Sequence, residues 1–362
     1  MSNYIEFDDK VAFHPGYYIK ELIDESGLTQ EDFAKRLDTT PKNLSLLIRG
    51  EQSLSTDIAL KLSKMLGTSI NYWLNLQNNY DALLAQYESK DEIEAERRVF
   101  SILDYKYFRN VCGLPNVPRK IDEQIKYTRE KLGVSSLTVL TKRDMAVSFR
   151  SASAELSESN IVKANSMVQI AIKKAAEIEA PKYDKKAFEK AVEYSLTLTE
   201  QHKNFYPLVK KAFLEAGVLF VVMPNMPGSK INGATKKIGN NIMLMVSDRN
   251  VYADTFWFTL FHEVGHILNG DYGISFEKES GDKEDAADNF AANVLVPQSE
   301  YVAFKEGNTF TISSVKAFAK KINRDPGIVL GRLQNDGLVK YDDWNLQSLR
   351  HKYRVVKAQK KE

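Results

Sequence analysis

Two of the five histidines in this chain lie four residues apart, in the run HEVGH at 262–266. On an α-helix, residues i and i+4 share one face, so His262 and His266 can direct two imidazoles at one metal ion. Glu263 lies beside His262, where it can act as general base toward a metal-bound water. The apolar flanks FWFTLF and IL indicate a helix that is buried on its other sides. The alternative is a pair of ordinary surface histidines on a helix.

A catalytic zinc site needs three protein ligands and one open position. The third candidate ligand is Glu284, eighteen residues after His266, in the Ala-rich stretch KEDAADNFAANVLVP, which has apolar residues at helical spacing. Asp288 follows one turn later on the same face, where it can accept the second ring N–H of a ligating histidine and fix its tautomer. A solvated helix face is the alternative for these two acids. The pattern favours a Zn²⁺ site.

The composition excludes several other classes of protein. The 362 residues correspond to about two to three domains of roughly 150 residues each, and the net charge of +2 gives no overall affinity for polyanions. Cys112 is the one cysteine in the sequence, which excludes an intramolecular disulfide framework and a multi-thiolate zinc site. Neither a signal peptide nor a run of about 20 apolar residues is present. We therefore expect a cytoplasmic protein with no membrane partner.

Residues from roughly 190 to 340 resemble the ImmA/IrrE family of metallo-endopeptidases, which are gluzincin-like zinc proteases. The resemblance rests on FWFTLFHEVGHIL, on E-x-x-A-D-x-F-A-A-x-x-L-x-P over 284–297, and on NGAT at 232–235. Two core positions, Val294 and Val296, stand where the family usually has Leu or Met. The roles that the resemblance implies are zinc ligation by His262, His266 and Glu284, general base catalysis by Glu263, and support of a ligand by Asp288.

Related zinc proteases pair the substrate backbone with a strand that precedes the metal helix. The sequence predicts strands at GVLFVVM (217–223) and NIMLMVS (241–247), separated by turn-rich segments. Either the second of these or GATKK (233–237) is a candidate for the substrate strand. Tyr252 and Tyr272 are candidates for an oxyanion donor, and each also fits a structural role.

The N-terminal segment 27–66 has the spacing of a helix-turn-helix. Thr29 is predicted to cap a helix that starts at Gln30. Thr40 is predicted to cap a second helix with Pro41 at its first position, where the missing N–H costs nothing. The sequence therefore predicts two short helices joined by a tight turn.

This segment resembles Cro/C1-type (XRE) DNA-binding domains, and the flanks HPG (14–16) and NYWLNLQNNYD (71–81) resemble the HigA antitoxin subgroup. In such domains the N-terminal side chains of the second helix meet base edges in the major groove. The resemblance implies double-stranded operator DNA as a partner, a homodimer, and a toxin as a further partner. The implied DNA contacts are Gln30, Thr40, Lys42, Asn43 and Arg49.

Charge leaves a second interpretation of this domain open. Residues 1–75 hold eight Lys or Arg and eleven Asp or Glu, a net charge of −3, whereas affinity for DNA depends on neutralising phosphates. The stretch 35–49 is locally positive. Pro41 and Leu46 are apolar where polar readers are common, and they could meet thymine methyl groups or a protein partner. DNA binding is the favoured interpretation, and protein recognition is the alternative.

These observations predict a multidomain chain. The expected parts are an all-α helix-turn-helix domain (1–80), a helical connector (81–190), an α+β gluzincin-like zinc peptidase domain (191–340) and a basic tail (341–362). The expected function is a DNA-binding transcription regulator whose zinc-dependent endopeptidase cleaves a regulatory protein of the repressor or antitoxin type.

The rival class is a non-proteolytic HigA-like repressor or antitoxin whose zinc domain senses or stabilises. Glu263 favours the enzyme, because a purely structural site has no need of a base. The other histidines, His14, His202 and His351, have no neighbours at metal-ligand spacing and are expected to be structural.

Overall fold

The computed structural model describes residues 3–143, 145, 156–249, 251–276, 281–307 and 310–353. The chain divides into two compact units, 1–95 and 96–362. The last part of the basic tail that the sequence predicts lies outside the described residues. No helix in the described part of the chain is long and apolar enough to cross a membrane.

The first unit is a helical domain that opens with a β-hairpin. Strands β1 (Tyr4–Phe7) and β2 (Lys10–Phe13) pair antiparallel through a two-residue turn at Asp8 and Asp9, both with positive φ. This hairpin is not predicted from the sequence, since Asp-Asp is a weaker turn signal than Asn-Gly. The helices that follow are α1 (Pro15–Ser26), α2 (Gln30–Arg36), α3 (Pro41–Ile48), α4 (Thr56–Leu66) and α5 (Ile70–Glu88).

The second unit is a mixed α/β structure that begins within α6 (Lys90–Ile102). Its further elements are α7 (Tyr105–Cys112), α8 (Ile121–Leu132), a 3₁₀ helix (Leu137–Thr141), α9 (Glu158–Ala176), α10 (Lys185–Leu196), α11 (Phe205–Glu215), β3 (Val218–Met223), β4 (Ile231–Ile238), β5 (Asn241–Ser247), α12 (Ala253–Asn269), β6 (Ile274–Phe276), α13 (Asp282–Leu295), α14 (Gln298–Glu306), α15 (Ile312–Lys321), α16 (Pro326–Asn335) and α17 (Trp344–Gln347).

Four strands form one sheet in the order β3–β5–β4–β6. Strand β3 runs parallel to β5, and β4 runs antiparallel to both β5 and β6. The two strands predicted at 217–223 and 241–247 are confirmed as β3 and β5. Strand β6 has three residues, too few to leave a period-2 pattern in the sequence.

The sheet is covered on both faces. Along β5, Ile242, Leu244 and Val246 belong to the core that includes the apolar side of α12. The alternate residues Met243 and Met245 belong to a second core that includes side chains of α7, α8 and α9. Burial on both faces explains why NIMLMVS is a continuous apolar run rather than an alternating one. Helices within the predicted connector therefore form one wall of the sheet.

Truncating either face of β5 is expected to destabilise the second unit. Leu244→Ala and Met243→Ala each remove a fully buried side chain, so each should lower the free energy of unfolding by about 2–5 kcal/mol. Lys237→Ala, at an exposed position on β4, is the control and should stay within about 0.5 kcal/mol. Chemical denaturation measures all three. A loss for Leu244→Ala alone would contradict the two-faced sheet.

Candidate metal centre and nucleic-acid interface

Helix α12 carries the HEVGH run and both of its apolar flanks, so the helix indicated by the sequence is confirmed. Its apolar side is fully buried at Trp257, Phe261 and Val264. On another side Gly265 faces α13 so closely that a Cβ there would stand 3.3 Å from the Cα of Ala287. That close approach brings the N-terminal half of α13, with its acids, alongside the two histidines.

Three side chains on α12 and α13 converge on one point. Nε2 of His262 lies 3.0 Å from Nε2 of His266 and 3.1 Å from Oε2 of Glu284, and Nε2 of His266 lies 3.4 Å from Oε1 of Glu284. Ligands about 2.1 Å from a tetrahedral zinc are separated by about 3.4 Å. The three candidate ligands therefore fit such an ion in both distance and chemistry.

Each imidazole is oriented through its other nitrogen. Nδ1 of His262 lies 2.7 Å from Oδ1 of Asp288, as the sequence analysis expected. Nδ1 of His266 lies 3.2 Å from Oδ2 of Asp271, and Nζ of Lys283 lies 3.0 Å from the other oxygen of that aspartate. Asp271 is not among the predicted site residues. Its one signal in the sequence is an acid directly after Gly270, where α12 ends. Such partners fix the tautomer that leaves Nε2 to a metal.

The charges of this cluster are strongly coupled. Burial alone would lower the pKa of His262, but its hydrogen bonds to Asp288 and Glu284 raise that pKa to about 10. Burial would likewise raise the pKa of Glu284, yet the two imidazoles hold it well below its usual range. A proton and a metal ion therefore compete for Nε2 of His262, so metal affinity at this cluster should rise with pH.

Glu263 is fully buried beside the three candidate ligands and is not one of them. Its side chain packs against Gly233 of β4, where a Cβ would stand 2.6 Å from Cγ of Glu263. The glycine of the NGAT run is thus needed because any larger residue would displace the carboxylate. The strand and the metal helix together fix the candidate base.

His262 opens onto a cleft of about 210 Å³. Its other lining residues are Asn232, Phe258, Thr259, Ser275, Phe276 and Asp288. Strand β5 lies inside the sheet, and β4 is covered by β6 over Ile231–Ala234. The expectation that β5 pairs with substrate is therefore wrong, since β3 and β4 occupy its two edges. In GATKK, Gly233 and Ala234 pair with β6 and Thr235 donates its N–H to the carbonyl of Gly273, so that segment stays a prediction only beyond Thr235. Beside the cleft, β6 is the edge strand.

The two candidate oxyanion donors have structural surroundings. The guanidinium of Arg350 lies over the ring of Tyr252, with its central carbon 3.8 Å from the ring centroid. Tyr272 is partly buried and packs against the core. Both positions fit the structural alternative that the sequence left open.

The first unit shows the two predicted caps. The hydroxyl of Thr29 accepts the N–H of Asp32, and that of Thr40 accepts the N–H of Asn43, so α2 and α3 start where expected. Because its hydroxyl is the cap of α3, Thr40 has a structural role at the proposed interface. Lys42 is exposed in the first turn of α3.

The remaining proposed DNA contacts have partners within the domain. Arg49 forms a bidentate ion pair with Glu51, with distances of 2.8 and 3.0 Å. The amide of Asn43 donates to Thr39, and that of Gln30 reaches the carbonyl of Pro41 at 3.5 Å. The cations in α3 and at its C-cap are Lys42 and Arg49. Glu51, which is not among the predicted site residues, thus neutralises Arg49.

Comparison with known proteins separates the two units. Residues 19–73 match a family model described as "Helix-turn-helix". The uncharacterized HTH-type transcriptional regulator YddM of Escherichia coli K12 is 36% identical over 92 residues, which are 25% of this chain and 96% of the relative. Through its N-terminal domain, the chain belongs to the HTH-type transcriptional regulators.

Other relatives resemble the same helix-turn-helix domain. Virulence-associated protein I of Dichelobacter nodosus is 30% identical over 80 residues, 22% of this chain and 74% of the relative. A solved structure described as a "putative antidote protein of plasmid maintenance system" from Nostoc punctiforme is 33% identical, with 23% of this chain and 92% of that chain covered and a TM-score of 0.23. A HigA-family addiction module antidote protein from Coxiella burnetii is also 33% identical, with 23% and 91% covered and a TM-score of 0.22.

The second unit matches a different family. Residues 224–327 match a model described as "Putative metallopeptidase". The matched stretch contains β4, the HEVGH run and Glu284. A family of this kind implies a metal, and the convergent side chains supply a candidate place for one. The finer resemblance to the ImmA/IrrE family stays a prediction.

Loss of either orienting aspartate is expected to weaken the metal site without removing a ligand. Asp271→Ala and Asp288→Ala should each lower the affinity for Zn²⁺ by about 10–100-fold, because the imidazoles lose their fixed tautomer. Asp285→Ala, at an exposed position on α13, is the control. Calorimetric titration with Zn²⁺ measures the effect. An unchanged affinity for Asp271→Ala would contradict the role assigned to that aspartate.

The ion pair of Arg49 predicts opposite effects for two substitutions in the helix-turn-helix domain. Lys42→Ala should weaken binding to DNA from the chain's own promoter region and reduce the salt slope by about one, as for one lost phosphate contact. Glu51→Ala should strengthen binding, because it releases Arg49. Glu25→Ala removes the same charge from α1 and is the control. Equal binding by the wild type, Lys42→Ala and Glu51→Ala would favour protein recognition.

Proposed function

We propose that this chain is a DNA-binding transcription regulator whose second unit is a zinc-dependent endopeptidase acting on a regulatory protein of the repressor or antitoxin type. The observation that carries the proposal is the buried carboxylate of Glu263 beside, and separate from, the convergent His262, His266 and Glu284. A metal site that only stabilised a fold would not need a fourth, non-ligating acid at this position.

Metal binding and proton transfer would be carried out by different residues during peptide hydrolysis. Zn²⁺ would be held by His262, His266 and Glu284, and when bound it polarises a carbonyl and lowers the pKa of water. Glu263 accepts a proton from the attacking water and passes it to the leaving amine. Gly233 leaves room for that carboxylate, because any Cβ at this position would collide with it.

The sheet edge beside the cleft suits an extended substrate. The backbone groups of β6 can pair with an extended segment of another chain, as edge strands do when they bind peptides. Phe258 and Phe276 give the cleft an apolar lining in which a substrate side chain can be buried. We therefore expect cleavage within an exposed, extended segment of the substrate.

The first unit accounts for the regulatory part of the proposal, because it would bind operator DNA. Helix α3 with its exposed Lys42 is the element that would enter the major groove of an operator, and a homodimer would read two half-sites. A regulator of this kind works in the cytoplasm, where its DNA and its protein substrate lie. Some relatives are described as antidote proteins, which supports a repressor, an antitoxin or a toxin as the second partner.

Replacing the base and replacing a ligand should have different consequences. Glu263→Gln keeps the side-chain volume and all three candidate ligands, so Zn²⁺ should stay bound while cleavage falls by a factor on the order of 10² or more. Glu284→Gln removes a ligand charge, so both zinc affinity and cleavage should fall. The measurements are zinc content and new protein termini after incubation with cytoplasmic extract.

Controls separate the enzyme from its rival. Equal cleavage by the wild type and by zinc-loaded Glu263→Gln would exclude Glu263 as the base and point to a contaminant. Zinc binding without any new termini in the wild-type digest would favour the non-proteolytic repressor.

A further inference from the structure

A second group of metal-binding side chains lies elsewhere in the second unit. His202 precedes α11, Asp325 caps the N-terminus of α16, and His351 follows α17. Both histidines are expected from the sequence to be structural, because neither has a neighbour at metal-ligand spacing. The fold brings one ligand atom from each of the three within 4.8 Å of the others.

The two imidazoles face the same carboxylate oxygen. Nε2 of His202 lies 3.2 Å from Oδ2 of Asp325, and Nδ1 of His351 lies 3.3 Å from that same atom. Both distances are close to the separation of about 3.4 Å between ligands of a tetrahedral zinc. They are also close to the 3.1 Å between His262 and Glu284 in the first cluster.

Neighbouring groups support two of the three side chains. Asp325 is 1% exposed, and its Oδ1 accepts the N–H of Gly327 at 2.8 Å, which leaves Oδ2 to the imidazoles. Nδ1 of His202 lies 3.0 Å from the hydroxyl of Tyr353. A histidine that binds a metal through one nitrogen commonly hydrogen-bonds through the other, as this ring does.

We infer that His202, Asp325 and His351 form a second binding site for a divalent transition metal of the Zn²⁺ type. Two imidazoles and one carboxylate are the donors that such ions accept. Arg350 lies nearby but is paired with Asp254, at 2.5 Å. A metal ion at Oδ2 would therefore compensate the negative charge of Asp325. A fourth position is open to water on the side of His351, whose side chain is 49% exposed.

One ring must move for a metal to bind. The rings of His202 and His351 are stacked, with centroids 3.6 Å apart and planes 21° apart. A metal lies close to the plane of each imidazole that binds it, so the planes must open. In the first cluster the corresponding angle is already 75°. The half-exposed ring of His351 is the one free to turn.

The site would connect the C-terminal segment 349–353 to the start of the metal helix. The carbonyl of His351 accepts the N–H of Ala253, the first residue of α12, and Arg350 is paired with Asp254 in the same turn. His262 lies about two turns farther along α12. Metal binding would therefore join the segment before α11, α16 and the C-terminal segment, and the last of these contacts the beginning of α12. The inference stands whether or not the first cluster is catalytic.

Zinc equivalents measured on matched variants test the inference. The full chain should bind two equivalents of Zn²⁺ in calorimetric titration, and His262→Ala/His266→Ala should bind one. Adding His351→Phe, which keeps an aromatic ring against His202 but removes the donor nitrogen, should abolish the remaining equivalent. In the double variant, Zn²⁺ at about 100 times its Kd should raise the Tm by about 5–10 °C, and His351→Phe should remove that shift.

Circular dichroism establishes that each variant is folded. If the double variant fails to fold, His351→Phe alone in the otherwise unchanged chain should reduce the zinc content from two equivalents to one. A folded double variant that binds no zinc, or a His351→Phe variant that keeps every equivalent of its parent, would overturn the second site.

Discussion

The close approach of α12 to α13 is the constraint on which the candidate metal centre depends. Gly265 removes the side chain that would hold the two helices apart, so the Cα of Ala287 comes within contact distance. At that spacing Glu284 lies within 3.1–3.4 Å of both His262 and His266. Gly265 therefore supports the site through the helix contact, although it is not a candidate ligand.

The second constraint is the sheet that backs the metal helix. Because β5 is apolar on both faces, helices cover it on both sides, and the sheet lies packed beside α12. On β4, Gly233 leaves the space that the side chain of Glu263 occupies. A fully buried carboxylate next to a cluster of ionisable groups is costly, and such a cost is typical of a site built for chemistry rather than for stability.

How far apart in sequence the contacting residues lie decides how much of the fold and of the candidate site could be predicted from the sequence. The i, i+4 spacing of His262 and His266 and the caps at Thr29 and Thr40 are set within one or two helical turns, so residue patterns alone indicate them. Asp271 could not be predicted as a partner of His266, because the contact depends on the path of the chain after α12. The cluster of His202, Asp325 and His351 could not be predicted either, since these residues lie far apart in sequence and meet only through the tertiary fold.

X-ray diffraction at the zinc absorption edge, from crystals of the zinc-loaded chain, tests the central claim most directly. The account predicts an anomalous peak about 2.0–2.2 Å from Nε2 of His262, Nε2 of His266 and a carboxylate oxygen of Glu284. Glu263 should lie beside this ion without binding it. Zinc bound to the protein with no peak at these three side chains, or with Glu263 as a ligand in place of Glu284, would contradict the account.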